Sequence, residues 1–263
     1  MIKAEKLKPY DPKKFRPGYV SIKRNGIHAI YDPNINKFYS RTPKEIKGLE
    51  HLKSVLKTRT SIPLVGELLI PNIPFEILSG KIRSDQKTPE ACFRIFNAIV
   101  PDKNFKNRYG EILSSLNSSF FTNSNEAKIS LEFMKFIETE KEFDSFYKYN
   151  IDQGHEGVCW IAPDHIYQPG KRTWDWMKRV PMKSLEVLIR DILPGTEGKK
   201  YEKSMGRMVC SFIDKDKNER EIKVGIFKGQ TDIWRQEIWH FKQECLGRKI
   251  TIEFKDYSRF GIP

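Results

Sequence analysis

The chain has 263 residues, 38% hydrophobic and 31% charged, a balance that suits a soluble globular protein and excludes bulk disorder. Lys and Arg number 47 against 34 Asp and Glu, so the formal charge is +13 and a polyanionic partner is expected. No stretch reaches the roughly 20 apolar residues of a membrane helix, which removes a membrane-spanning role from the expectation.

Residues 1–16 are basic and contain prolines. From Tyr19 to Tyr31 apolar and polar positions alternate around Asn25-Gly26, which predicts strand, turn, strand. Phe38 and Tyr39 begin another strand, and Thr42-Pro43 predicts the opening of a helix over 44–57. Leu64 to Ile70 reads as a strand interrupted by Gly66, and Cys92 to Val100 as a buried strand broken only by Arg94 and Asn97. Tyr109, Ile112, Leu113 and Leu116 have helical spacing. So do Ile129, Phe133, Phe136 and Ile137, with the Ser/Asn-rich stretch 114–125 as a surface loop before them. Gly157 to Ile161 returns to strand.

After Pro181 the texture changes to short strands with charged turns: Leu185 to Ile192, Met208 to Ile213, Glu221 to Phe227 and Ile250 to Phe254. That pattern predicts a small β-barrel. Cys92, Cys159, Cys210 and Cys245 form no CxxC pair, so free thiols are expected rather than a zinc knuckle or a disulfide frame. Residues 1–10 are charged and lack the apolar core of a signal peptide, which predicts a cytoplasmic protein.

Charges set among apolar neighbours cost free energy unless they are paired or bind metal and substrate. Glu67 lies inside an apolar strand, Glu156 inside Gly154-His155-Glu156-Gly157-Val158, and Lys178 follows Trp174 and Trp176. Lys23 precedes a glycine turn in Lys23-Arg24-Asn25-Gly26. Taken singly, each reads equally well as an ion pair or a solvated charge. Taken in order, they resemble the motifs of the covalent nucleotidyltransferase superfamily, which holds DNA ligases, RNA ligases and mRNA-capping enzymes.

The resemblance spans nearly the whole chain and implies a role for each matching residue. Lys23 stands at the nucleophilic lysine of a Lys-x-Asp-Gly motif, with Asn25 where Asp is usual, and Ile22 precedes it on the strand that meets the nucleotide. Ser40-Arg41-Thr42 places Arg41 on the nucleotide and the DNA end; Val65-Gly66-Glu67-Leu68 places Glu67 on the ribose and near metal. Phe93 to Asn97 sets the Phe96 ring against adenine, Glu156-Gly157-Val158 gives a metal-associated carboxylate, and Trp176-Met177-Lys178 gives the lysine of the α-phosphate. His28 occupies the place of a family arginine that touches DNA, and Val180 that of a second lysine, for which Lys183 can substitute.

A free lysine has a pKa of roughly 10.4 and must lose its proton before it attacks. Arg24 and Lys178 would assist by like-charge repulsion if they come close. Carboxylates and phosphate oxygens suit Mg²⁺, with Mn²⁺ as a substitute. ATP is the nucleotide that the resemblance implies.

The expected fold is α+β: an ATP-grasp-like nucleotidyltransferase domain of antiparallel sheets with helices over residues 1–182, then an oligonucleotide-binding (OB) barrel over 183–263. Lys199, Lys200, Lys203 and Arg207 at the barrel entry read as phosphate contacts, or else as a solvated turn. Segments 103–108 and 114–125 are candidates to clamp the duplex. Glu253 to Pro263 resembles the run-up to a closing basic motif, so either the OB domain is truncated or Arg248 or Arg259 serves instead. A catalytic domain followed by an OB barrel occurs in DNA ligases and capping enzymes, and the resemblance as a whole implies an ATP-dependent DNA ligase, a monomer acting on nicked double-stranded DNA. The alternatives are an RNA ligase or capping guanylyltransferase, and a non-catalytic nucleic-acid binder.

Overall fold

The structure, a computed structural model, describes residues 3–115, 128–225, 227, 229–255, 257–258 and 261–263. Most of the expected loop at 114–125 lies outside the described residues, as does Arg259. The chain divides into two compact units, Met1–Val180 and Pro181–Pro263.

The first unit runs β1 (Lys8–Pro9), β2 (Gly18–Lys23), β3 (Ile27–Asp32), β4 (Lys37–Ser40), β5 (Glu45–Ile46), α1 (Glu50–Leu56), β6 (Leu64–Leu69) and α2 (Phe75–Arg83). It continues with β7 (Cys92–Ala98), α3 (Phe105–Ser115), β8 (Ile129–Leu131), β9 (Lys135–Ile137), α4 (Glu140–Asp152), β10 (Gly157–Ile161) and β11 (Trp176–Arg179). Its strands make a six-stranded sheet in the order β5-β4-β3-β6-β7-β8 and a five-stranded sheet in the order β1-β11-β10-β2-β9. The six-stranded sheet is a contiguous insertion: the chain leaves the five-stranded sheet after β2 and returns to it at β9.

Three cores follow from that arrangement. Leu49, Leu52, Leu56, Leu78 and Ile82, from α1, α2 and the residue before α1, cover one face of the six-stranded sheet. Phe143 of α4 covers the far face of the five-stranded sheet with Val20, Val158, Trp160 and Met177. Between the sheets Ile30 and Val65 meet Ile161 and Trp176, with Phe105 of α3 beside them.

Several expectations need correction. The helical spacing at Ile129 to Ile137 is carried by two three-residue strands, β8 and β9, which belong to different sheets. The helix comes afterwards as α4, where Thr139 and Glu142 form a reciprocal capping box. The helix expected over 44–57 begins only at Glu50. Before it, Gly48 takes φ 74° and lies so close to Gln86 that a Cβ would meet its carbonyl oxygen at 1.8 Å. Strand, turn, strand is present at 18–32, yet β2 and β3 do not pair; each joins a separate sheet. In β6, Gly66 marks a register shift against β7, and a Cβ there would sit 2.4 Å from the Arg94 carbonyl oxygen.

The second unit holds β12 (Lys183–Pro194), β13 (Met205–Ile213), β14 (Glu219–Val224), α5 (Asp232–His240), α6 (Lys242–Cys245) and β15 (Lys249–Phe254). Its sheet has the antiparallel order β14-β13-β12-β15, so among the described residues it is open rather than a closed barrel. Val187, Ile192, Met208, Cys210 and Ile252 form its core, packed by Trp234, Ile238 and Trp239. Arg235 is buried and ties α5 to the sheet, its Nη1 donating to the Met205 carbonyl at 2.6 Å and its Nη2 to that of Gly225 at 3.0 Å. No helix among the described residues is long and apolar enough to cross a membrane.

Candidate active site

Alternation along paired strands places the charged residues. Ser21 pairs with Cys159 and Cys159 with Lys178 across three neighbouring strands, and Lys23 pairs with Gly157 one step further along. Side chains two apart share a face. The face carrying Ser21, Lys23, Cys159 and Lys178 is therefore also the face of Tyr19, Ile161 and Trp176, which looks onto the six-stranded sheet. Ile22 alternates to the opposite face with Val20, leaving its backbone as the part that borders the site.

Lys23 Nζ donates to Glu156 Oε2 at 2.5 Å, with both side chains partly buried. Glu67 enters from β6, opposite His28 of β3 and Arg94 of β7. Burial pushes the Glu67 carboxyl up to about 7, and the Glu156 charge adds to the rise; Lys23, Arg41 and the Gly26 N–H pull it back. The same turn explains its glycine: a Cβ on Gly26 would lie 2.5 Å from the Leu68 carbonyl oxygen and 2.7 Å from Glu67 Cγ.

Cys159 sits among these charges. Burial raises its thiol to about 12, while the fields of Lys23, Glu67, Glu156 and Lys178 all reach it. Those four expected residues thus converge on one half-buried thiol. Sequence reasoning passed over Cys159, although its place two residues after Gly157 on a strand was the available signal.

Phe96 lies between two rings, 6.0 Å from His28 and 5.9 Å from Trp176 by centroids. His28 is buried, and neither ring nitrogen has a hydrogen-bond partner among the described residues. Burial, with the Arg41 charge second, lowers its pKa to about 3, so it is a neutral imidazole. His28 and Arg41 border a cavity of about 520 Å³ that also touches Gly26, Lys44, Phe75 and Arg83.

Arg24 is paired with Glu132. Its Nε and Nη2 bind Glu132 Oε2 and Oε1 at 2.8 and 3.0 Å, so its charge is already matched. The expected like-charge assistance from Arg24 is replaced by a structural pairing, and buried Glu132 escaped the sequence reading. Arg108, one edge of a segment expected to clamp a duplex, is fully buried and donates through Nη1 to the His165 carbonyl at 2.9 Å.

The remaining expected residues belong to the second unit. Lys183 begins β12 with its Nζ 5.6 Å from the Tyr257 ring. Lys200 is held by Asp232 at 2.7 Å, whereas Lys199, Lys203 and Arg207 are exposed and form no ion pair among the described residues.

A pair of carboxylates, one of them lifted by burial and by its neighbour's charge, suits a hard divalent cation when phosphate oxygens complete its shell. Among the described residues no group of three or more His, Cys, Asp or Glu gathers to hold a metal by itself.

Comparisons with known proteins bear on the family and the fold. A family model described as the ATP dependent DNA ligase domain matches residues 4–179. The DNA ligase of African swine fever virus (isolate Warthog/Namibia/Wart80/1980) is 25% identical over 265 residues, covering 93% of this chain and 61% of the viral protein. The chain thus spans about three fifths of the length of that relative. Among solved structures, Pmar-Lig_PreS3 matches with a TM-score of 0.80 at 20% identity, over 99% of this chain and 65% of that one. A structure from work on Lig E DNA ligases matches at 0.76 and 15% identity, over 100% of this chain and 96% of the other. At such identities the structural likeness is one of fold.

Proposed function

The chain belongs to the ATP-dependent DNA ligase domain family, and from that premise we propose that it charges Lys23 with AMP from ATP and seals nicks in duplex DNA. The observation that carries the reading is Lys23 at the end of β2, 2.5 Å from Glu156, on the inter-sheet face that also bears Lys178.

In the first step the neutral Lys23 amine attacks the α-phosphorus of ATP, forming the P–N bond as the bond to pyrophosphate breaks. Lys23 must first leave Glu156 and lose a proton. Lys178 stands across Cys159 from the Lys23 strand, where its charge would meet that building on the α-phosphate. Phe96, backed by Trp176, offers a ring face to adenine, and Arg41 with Glu67 would hold phosphate and ribose. AMP then passes to the 5′-phosphate of the nick, and the 3′-hydroxyl displaces it to close the backbone. Glu67 and Glu156 would hold Mg²⁺, which when bound neutralises phosphate charge.

In this reading residues 1–182 are the nucleotidyltransferase domain. Residues 183–263 are an OB-type domain whose Lys199, Lys200, Lys203 and Arg207 meet DNA phosphates. His28 meets the DNA end at the cavity it shares with Arg41, and Lys183 assists at the nucleotide. The protein works as a monomer in the cytoplasm, where ATP is supplied.

Incubation with labelled ATP or GTP and Mg²⁺, followed by denaturation, tests this. Label from ATP and sealing of a nicked duplex are expected. Label from GTP alone would replace the reading with a capping activity, and no label from either nucleotide would end it.

A further inference from the structure

We propose that the Arg24–Glu132 ion pair is the positioning clamp that sets Lys23 relative to the strand that carries Phe96; the inference rests on the adenylylation reading above. The six-stranded sheet is inserted between β2 and β9, and its neck has two strands of chain. Arg24 lies on the way out, one residue after β2, and Glu132 on the way back, one residue after β8. Their side chains close the neck with two parallel bonds of 2.8 and 3.0 Å.

Each partner is bound to a different half of the site. Arg24 is covalently next to Lys23. Glu132 is fixed through its backbone: its N–H donates to the Ile95 carbonyl at 2.6 Å, beside Phe96, and its carbonyl accepts from Tyr109 Oη at 3.0 Å. The ion pair therefore links the nucleophile to the strand that carries the ring expected to meet adenine. Asn25, in the same turn, makes no side-chain hydrogen bond among the described residues. The turn is tied down by Arg24 through its pairing with Glu132.

The Glu132 side chain is 3% exposed, so it cannot fall back on water if Arg24 is lost. Only a guanidinium supplies the fork that fixes both distance and angle; a lysine would return the charge without the geometry. Displacement of a reacting group by about 1 Å lowers a rate on the order of 100-fold.

The test compares Arg24→Lys, Glu132→Gln and the double variant Arg24→Leu/Glu132→Leu. For each we would measure the Lys23–AMP labelling rate against ATP concentration, the melting temperature, and sealing of a pre-adenylylated nick. Arg24→Lys should lower the maximal labelling rate by roughly 100-fold while the half-saturating ATP moves by less than about threefold. Sealing of the pre-adenylylated nick should fall far less. The double variant, which leaves no buried charge, should regain melting temperature but not labelling rate. Recovery of rate along with stability would show that the pair merely balances charge and would overturn the proposal, as would wild-type labelling by Arg24→Lys. If the unaltered protein takes no label at all, the adenylylation reading fails and this inference goes with it.

Discussion

The cations proposed to act in the two units are held in opposite ways, although Arg235 of the second unit is buried against backbone carbonyls much as Arg108 is in the first. In the first, Lys23 is held by Glu156, Arg24 by Glu132, and Arg108 is buried against backbone carbonyls. In the second, Lys199, Lys203 and Arg207 are exposed without ion pairs among the described residues, and Lys200 leans on Asp232 at the surface. Charges fixed in a partly dry site act through position, while exposed charges act through a field that salt screens. Substitutions among the first set should therefore change the proposed chemistry, and substitutions among the exposed set should change the salt dependence of the proposed binding.

The largest effect is expected at the proposed nucleophile. Lys23→Ala should reduce labelling from ATP by more than about 1000-fold, to background, because no other group forms the P–N bond. Persistent label on that variant would remove the contrast at its root.

Glu67 gives the next effect, with two signs. Its carboxyl is raised from 4.5 to about 7, so the stability it contributes is complete below 4.5 and is lost as pH rises through 7. Glu67→Gln should then be more stable than the parent at pH 8, by about 2 kcal/mol in denaturant unfolding, while labelling drops on the order of 100-fold. A variant less stable at pH 8 would mean that the glutamate is not held against its own ionisation.

His28 sharpens the same point from the acid side. Its pKa is lowered from 6.5 to about 3, so the fold gains stability above 6.5 and loses it as pH falls toward 3. Between pH 7 and pH 5 the loss should be about 2 kcal/mol, and His28→Leu should abolish that part of the slope. Parallel acid profiles for the two proteins would contradict a buried neutral imidazole.

The smallest effects belong to the second unit. Joint replacement of Lys199, Lys203 and Arg207 by Ala should weaken nicked-duplex binding in low salt and make the log–log salt slope shallower by about 0.9 for each phosphate no longer neutralised. Labelling from ATP should stay at the parental rate. Lys200→Ala should do less than any of the three, since Asp232 already offsets its charge.

Much of the candidate site was legible because charges set among apolar neighbours are conspicuous in a sequence. Glu67 in β6 and Glu156 before β10 stood out for that reason, and the structure brings both to Lys23. Cys159 and Glu132 were passed over because a thiol in a strand and a glutamate beside Phe133 look ordinary until pairing is known. Local periodicity misled most where strands are shortest. Ile129, Phe133 and Ile137 keep helical spacing across two strands of different sheets, a distinction that only tertiary pairing makes. The Asn25-Gly26 turn signalled its two strands correctly but could not signal that they part.

That parting bears on how the chain folds. Lys135 pairs with Val20 across the entire inserted sheet, whereas the inserted strands find partners within their own continuous stretch. Loop-closure entropy rises with the length of chain to be gathered, so the β2–β9 pairing is costly until the insertion has become compact. The six-stranded sheet should consolidate first and bring its own neck together, with the five-stranded sheet closing last. Lys23, at the end of β2, would then meet Glu156 and the strand of Lys178 only in the final stage of assembly, so a partly folded chain would hold the proposed nucleophile without the charges that surround it.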